Sequence, residues 1–260
     1  MNGIERRRQT ILDIVQQEGA CTYEQLARRC NTSTMTIRRD VEALAASGAV
    51  LKTIGGILNA QAPYELYETA LHDRIATNRR EKQSIARKAV ALIEPGQVVF
   101  LDGSTTCLEL ASQIAQKLRG VTVITNSITA CGRLAQNRDN ELIAIGGQLN
   151  HDTGSFVGSF AEESLLRYYP HLAFFSTKGF MVGQGTFESS IPTFRIKEII
   201  AKRCEQVILL VDHSKFRQRS LCKVLDVSQI DTVITDGSAP TDQLKQLQDA
   251  GVEVLIAEVD

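Results

Sequence analysis

Six polar runs in the chain each follow directly on an apolar run, and their residue types are the ones best suited to chemistry. Asp102-Gly103-Ser104-Thr105-Thr106 comes after Val98 to Leu101 and leads straight into a helical pattern. The others are Thr125-Asn126-Ser127, Gly146-Gly147, Ser176-Thr177-Lys178-Gly179, Asp212-His213-Ser214-Lys215 and Thr235-Asp236-Gly237. In an open parallel sheet, ligands gather at the carboxyl ends of the strands, so these ends together outline a polar pocket. Gly103 to Thr106, at a helix amino terminus, would offer free backbone N–H groups, hydroxyl donors and the positive end of the helix dipole, which suits phosphate. The same residues would serve equally well as a plain helix cap. Lys178 and Lys215 would supply balancing charge, and Asp102 would accept hydrogen bonds from ligand hydroxyls. With Asn126 and Gly147 they form the candidate set for an anionic, polyhydroxylated small molecule.

A second constellation lies near the amino terminus, in Ser33-Thr34-Met35-Thr36-Ile37-Arg38-Arg39-Asp40. Threonine hydroxyls and methyls read base edges, and arginine holds phosphates or pairs bidentately with guanine. Thr22, Ser33, Thr34, Met35, Thr36, Arg38, Arg39 and Lys52 are therefore candidate contacts to double-stranded DNA. A solvated helix face, or a protein-interaction module, is the plainer reading of the same residues. Asp40 is expected to pair with a neighbouring arginine or to play a structural part.

The elements that must carry these residues follow from periodicity. Over residues 1–58, helix one runs through Ile11, Ile14 and Val15 to Gly19, and Thr22 with Gln25 forms a capping box for helix two. Ser33 caps helix three, whose apolar stripe is Ile37, Val41, Leu44 and Ala45, ended by Gly48. Ala49 to Ile54 reads as a strand, and Gly55-Gly56 as a hairpin signal leading into Ile57 and Leu58. Three helices and a hairpin make a winged helix-turn-helix. Residues 59–71, with Pro63, read as a linker. Residues 72–260 alternate apolar strands with amphipathic helices, the grammar of an α/β domain with a mainly parallel sheet covered on both faces. Asn78 with Glu81 and Ser159 with Glu162 look like further capping boxes.

Composition sets the bounds. The chain has 260 residues, 43% of them apolar, with 29 basic and 30 acidic side chains. That excludes collagenous, disordered and disulfide-scaffold classes. Residues 1–59 carry eight basic and six acidic side chains, so the overall charge of −1 is a positive segment joined to a more acidic one. The six cysteines show no C-x-x-C pair, and neither they nor His72, His151, His171 and His213 have metal-ligand spacing. No metal and no cofactor are expected. The absence of an apolar run near 18 residues, and of a signal-peptide core, predicts a cytoplasmic protein without a membrane segment.

Thr36-Ile37-Arg38-Arg39-Asp40-Val41, followed by Leu44, Gly48 and Gly55-Gly56, resembles the signature of the DeoR family of bacterial transcriptional regulators. The resemblance extends to Arg74, Lys82, Asp102–Thr106, Thr125-Asn126-Ser127, Gly146-Gly147, Val157-Gly158 and Asp212-His213-Ser214-Lys215-Phe216. It implies a recognition helix and wing bound to operator DNA, and a sensor domain related to ribose-phosphate isomerases and coenzyme A transferases. Such a sensor binds a phosphorylated sugar or sugar alcohol, and binding changes operator affinity. The expected protein is a repressor of carbohydrate metabolism genes, assembled as a dimer or higher homo-oligomer. The chain departs from the family where Thr193 replaces a glutamate four residues before Lys197, where the loop reads Asp-Gly-Ser-Thr-Thr instead of Asp-x-Gly-Thr-Thr, and at the variable position Met35. The alternative is a sugar-phosphate isomerase or coenzyme A transferase-like enzyme with a fused amino-terminal module. No catalytic residue is assigned, because Asp102 and Asp236 have no recognisable partner in sequence.

Overall fold

The computed structural model describes residues 3–18, 20–47, 49–52, 56–59 and 71–259. The chain divides into two compact units, residues 1–67 with 189–191 and residues 68–188 with 192–260. The expected linker falls almost wholly outside the described residues, as do Gly19, Gly48, Ile54 and Gly55.

The first unit contains α1 (Gly3–Glu18), β1 (Ala20–Thr22), α2 (Tyr23–Arg29), α3 (Thr34–Ala46), β2 (Val50–Lys52) and β3 (Gly56–Asn59). Ile11 and Val15 of α1, Leu26 of α2, and Ile37, Val41 and Leu44 of α3 close on one core with Val50 and Ile57. The Thr22–Gln25 capping box is formed in both directions, and Ser33 caps α3 through the Thr36 amide. β2 and β3 pair antiparallel, as a hairpin requires. β1 has no counterpart in the sequence reading; it pairs with β3 to complete a three-stranded sheet ordered β1-β3-β2. This pairing explains Gly56 better than turn chemistry does. A Cβ at Gly56 would lie 2.2 Å from the Cys21 carbonyl oxygen and 2.8 Å from the Thr22 Cα.

The second unit begins with α4 (Leu71–Ala76) and α5 (Arg79–Val90), then β4 (Val98–Leu101), α6 (Thr105–Lys117), β5 (Thr122–Thr125), α7 (Ile128–Leu134) and β6 (Glu141–Ala144). It continues through β7 (Gln148–Asn150), β8 (Ser155–Val157), α8 (Ser159–Leu165), β9 (Leu172–Phe175), β10 (Gly179–Met181), β11 (Gly185–Glu188) and α9 (Ile191–Ala201). β12 (Gln206–Leu210), β13 (Cys222–Lys223), β14 (Thr232–Asp236), α10 (Thr241–Asp249) and β15 (Glu253–Ala257) complete it.

Seven strands form one sheet in the order β15-β14-β12-β9-β4-β5-β6, and every pairing in it is parallel. The run Val98 to Leu101, read as a strand from the sequence, is β4 of this sheet with the same bounds. Alternate side chains feed opposite layers. Val99, Leu101 and Phe174 pack with α5 and α6 on one face, whereas Phe100 and Phe175 pack with α8 and α9 on the other. The Phe100 and Phe175 rings meet at 5.9 Å. Both outer strands open on a glutamate that accepts the hydroxyl of a threonine on the strand inside it, Glu141 from Thr122 at 3.3 Å and Glu253 from Thr232 at 3.1 Å.

From β4 the chain moves one way, to β5 and β6, and then crosses back to place β9 on the other side of β4. The crevice between β4 and β9 is therefore a topological switch point, where such sheets hold ligands. The short antiparallel sets β7-β8 and β10-β11-β13 have no counterpart in the sequence reading. Two expected capping boxes are not formed. Asn78 precedes α5 in a left-handed conformation (φ 49°) without capping it, and α8 is capped by Gly158 (φ 91°), with Ser159 already inside the helix.

Candidate functional site

On α3 the side chains of Ser33, Thr34, Met35, Arg38 and Arg39 are exposed, Thr36 is half-buried, and Ile37 and Asp40 face inward. Met35 is 64% exposed. Arg38 is not loose: its guanidinium sits 4.9 Å from the centroid of the Tyr23 ring, which orients it. Thr36 and Ser33 share a hydroxyl contact of 2.9 Å, and Thr22 is occupied in its capping box. Lys52 is exposed, with Glu42 at 3.5 Å. Asp40 does not pair with its neighbours Arg38 and Arg39. It takes Arg7 at 2.5 Å and Arg8 at 3.1 Å, both from α1.

In the second unit, Asp102 is at the end of β4 and only 2% exposed. One carboxylate oxygen accepts the Ser104 amide at 2.9 Å; the other accepts the Ser176 amide at 3.0 Å and meets the Lys197 ammonium at 3.1 Å. Burial opposes its charge, but Lys197 and these hydrogen bonds outweigh that and hold its pKa below the ordinary value. Asp102 is thus already engaged in shaping the loop. Lys197 also donates to the Ser176 carbonyl oxygen and to Glu188. Burial would lower its pKa, yet Glu188 and Asp102 raise it, so the amine is firmly charged.

Around this buried ion cluster the loop is tightly specified. A Cβ at Gly103 would fall 1.8 Å from the Ser155 hydroxyl, so only glycine lets β8 approach there. Ser104 caps α6 through the Cys107 amide at 3.2 Å. The first-turn N–H groups of Thr105 and Thr106 have no intrahelical acceptor, as at any helix start. Both side chains are buried, and Thr106 reaches the Ser176 hydroxyl at 3.5 Å. Asn126, 3% exposed at the end of β5, donates to the Phe156 carbonyl oxygen at 2.9 Å, while its own Oδ1 has no hydrogen-bond partner.

Lys215 belongs to a neighbouring group. Asp212 accepts the Asn78 side-chain amide at 2.9 Å and the Ser214 amide at 3.0 Å. Lys82, buried on α5, donates to the Arg74 carbonyl oxygen and, at 2.6 Å, to that of Thr77. Burial pushes Lys82 down to about 8; Asp212 opposes this, and the charges of Lys215 and Arg74 add to it. Glu109, on α6, also favours the charged amine. His213 is held to Asp236 at 3.0 Å.

The structure therefore joins Asp102, Gly103, Ser104, Thr105 and Thr106 with Ser155 and Ser176 at the switch point. Asn126 is tied in through Phe156, the residue after Ser155. A Cβ at Gly147 would meet the Val157 carbonyl oxygen at 2.8 Å and the Ala161 Cβ of α8 at 3.1 Å, so Gly147 serves the packing of α8. Lys178 is half-buried in the loop between β9 and β10. Sequence reasoning missed Glu188, and took Lys197 only as a family position. The available signal was a lysine placed among Phe194, Ile196 and Ile200 on an apolar helix face. Among the described residues no His, Cys, Asp and Glu group could hold a metal ion, and no helix is long and apolar enough to cross a membrane. All six cysteines are free thiols.

A helix-turn-helix with an exposed reading helix, in one chain with an α/β unit built around a polar crevice, defines a ligand-responsive transcriptional regulator. The chain belongs to the DeoR family of such regulators: residues 7–61 match the DeoR-like helix-turn-helix domain and residues 77–237 the DeoR C terminal sensor domain. A relative from Escherichia coli O157:H7 named for the aga operon is 32% identical over 98% of this chain and 95% of its own length. The HTH-type transcriptional regulator GolR of Listeria innocua is 31% identical, covering 97% of this chain and 98% of the relative. The glycerol-3-phosphate regulon repressor of Escherichia coli is 28% identical over 96% and 97%. Among solved structures, ribose 5-phosphate isomerase A of Methanocaldococcus jannaschii aligns with 54% of this chain and 55% of its own at 19% identity and a TM-score of 0.41. The family is one of DNA-binding regulators, so the isomerase and transferase alternative falls.

Proposed function

We propose that this chain represses genes of carbohydrate metabolism and that a phosphorylated sugar or sugar alcohol, bound at the β4/β9 switch point, controls its hold on operator DNA. In this reading residues 1–58 are the operator reader, 59–71 the connection and 72–260 the sensor, acting in the cytoplasm as a dimer or larger homo-oligomer. Ser33, Thr34, Met35, Thr36, Arg38 and Arg39 read or flank the major groove, with Lys52 in the wing. The phosphate meets the amino terminus of α6 and the cations Lys82 and Lys215; Lys178 adds charge, and the hydroxyls of the sugar meet Asn126.

The observation that carries this reading is the Asn126 Oδ1, a buried acceptor without a donor on the residue after β5, beside the β4 end that leads into the Asp102–Thr106 loop. A buried acceptor left unpaired costs about 1–3 kcal/mol, and a ligand hydroxyl would satisfy it. Ligand binding alters operator affinity only if it favours one conformation or subunit arrangement over another. The test is a thermal-shift screen of the full chain against phosphorylated sugars and polyols, each beside its dephosphorylated parent. At least one phosphorylated compound should raise the midpoint while its parent does not. Equal response to the parents, or response only to a different class of anion, would overturn the effector assignment.

A further inference from the structure

The Arg7, Arg8 and Asp40 group is more than a brace between two helices. Asp40 is 4% exposed, and its two oxygens are divided between two guanidinium Nε atoms, Arg7 at 2.5 Å and Arg8 at 3.1 Å. One arginine would neutralise that carboxylate. Two leave the group with a net charge of +1, on side chains 24% and 38% exposed. A purely structural ion pair gains nothing from a second, uncompensated cation, whose desolvation and repulsion are costs. Asp40 also raises the Arg7 pKa further, chiefly through its hydrogen bond and against a smaller effect of burial.

Placement adds a second argument. Thr36 and Asp40 are four residues apart on α3 and share one edge of it, an edge that Ser33 begins. The arginines are thus gathered beside the edge that carries two of the groove-reading hydroxyls. A helix lying in the major groove has a sugar-phosphate strand along each side. Because each arginine engages Asp40 through its Nε, the opposite edge of each planar guanidinium, formed by the two Nη groups, is turned away from the carboxylate. Arginine held in this way has lost its conformational freedom before binding and matches phosphate with its planar fork.

We propose that Arg7 and Arg8, aimed by the buried Asp40, form a backbone-phosphate clamp beside the recognition helix, with Asp40 as its positioning residue. The proposal rests on the operator-binding reading. It is tested with the full chain on two labelled duplexes of equal length, one from upstream of its own gene and one unrelated, titrated across a range of salt concentrations. Arg7→Ala/Arg8→Ala should weaken binding to both duplexes by the same factor. It should also make the slope of log affinity against log salt shallower by roughly one to two, since each phosphate contact contributes about 0.9. Arg7→Lys/Arg8→Lys keeps the charges and should keep the slope, which separates the clamp from a mere folding defect. Asp40→Asn adds net positive charge, yet should lower affinity because the forks lose their aim.

An unchanged slope in the alanine pair overturns the phosphate assignment, as does a slope lost equally in the lysine pair. Tighter binding by Asp40→Asn overturns the positioning role alone. A wild-type chain that binds neither duplex overturns the operator reading and the clamp with it.

Discussion

Lys82 and Lys197 are buried amines on helices of the same unit, and their surroundings drive them in opposite directions. Lys197 faces two carboxylates in contact and is held charged, whereas Lys82 is buried with two carbonyl oxygens, two carboxylates at a distance and two further cations, and is pushed down to about 8. Between about 8 and the ordinary 10.5 the unfolded chain binds more protons at this residue than the folded one, so without ligand stability rises with pH in that window. A bound phosphate favours the charged amine, so effector affinity should fall as pH passes from 7 to 9. Calorimetric titration at the two pH values checks this, and Lys82→Gln should remove the dependence; equal affinity at both would detach Lys82 from the effector. Lys197 also shows how far single residues can be read. The family position before it is Thr193, which suggests a lost carboxylate, yet Glu188 at the end of β11 supplies one from nine residues upstream. Spacing along a helix cannot reveal a partner that arrives from a strand.

At the scale of elements, Gly56 has the sharpest consequence. Any side chain there would push β1 and β3 apart at the Cys21 carbonyl, leaving β1 unable to close the small sheet. Gly56→Ala should destabilise the amino-terminal unit by about 1–3 kcal/mol, the usual cost of forced overpacking. Operator binding should weaken, while any effector-induced shift of the sensor persists. A melt showing an intact first transition would contradict this. The elements the sequence announced are those with a strong local pattern: the parallel strands as apolar runs, and helices capped by Thr22 and Ser33. The same capping letters failed at Asn78 because Asp212, 134 residues away, recruits its side-chain amide. They failed at Ser159 because Gly158, with φ 91°, begins the turn one residue earlier. The short strands β1, β7, β8, β10, β11 and β13 span four residues or fewer, too few for a period to show.

For the molecule as a whole, the charge of −1 is the sum of two opposite surfaces, and only the cationic part is asked to approach a polyanion. A single helix-turn-helix reaches one half-site, and linking two copies makes the second contact intramolecular. Sedimentation of the purified chain should therefore show a dimer or larger species at concentrations where it binds operator DNA; a monomer that binds with full affinity would refute the homo-oligomer. Such assembly demands that copies meet only where intended, and the central sheet is a hazard in that respect. Its outermost strands, β6 and β15, each offer a row of unsatisfied amides and carbonyls to any passing strand. The glutamates that open them, Glu141 and Glu253, would set like charges facing one another where two such borders approach in parallel register. The threonine hydroxyls of Thr122 and Thr232 hold those carboxylates in place. Each border of the sheet thus opens on a fixed charge that a strand joining it in parallel register would have to oppose.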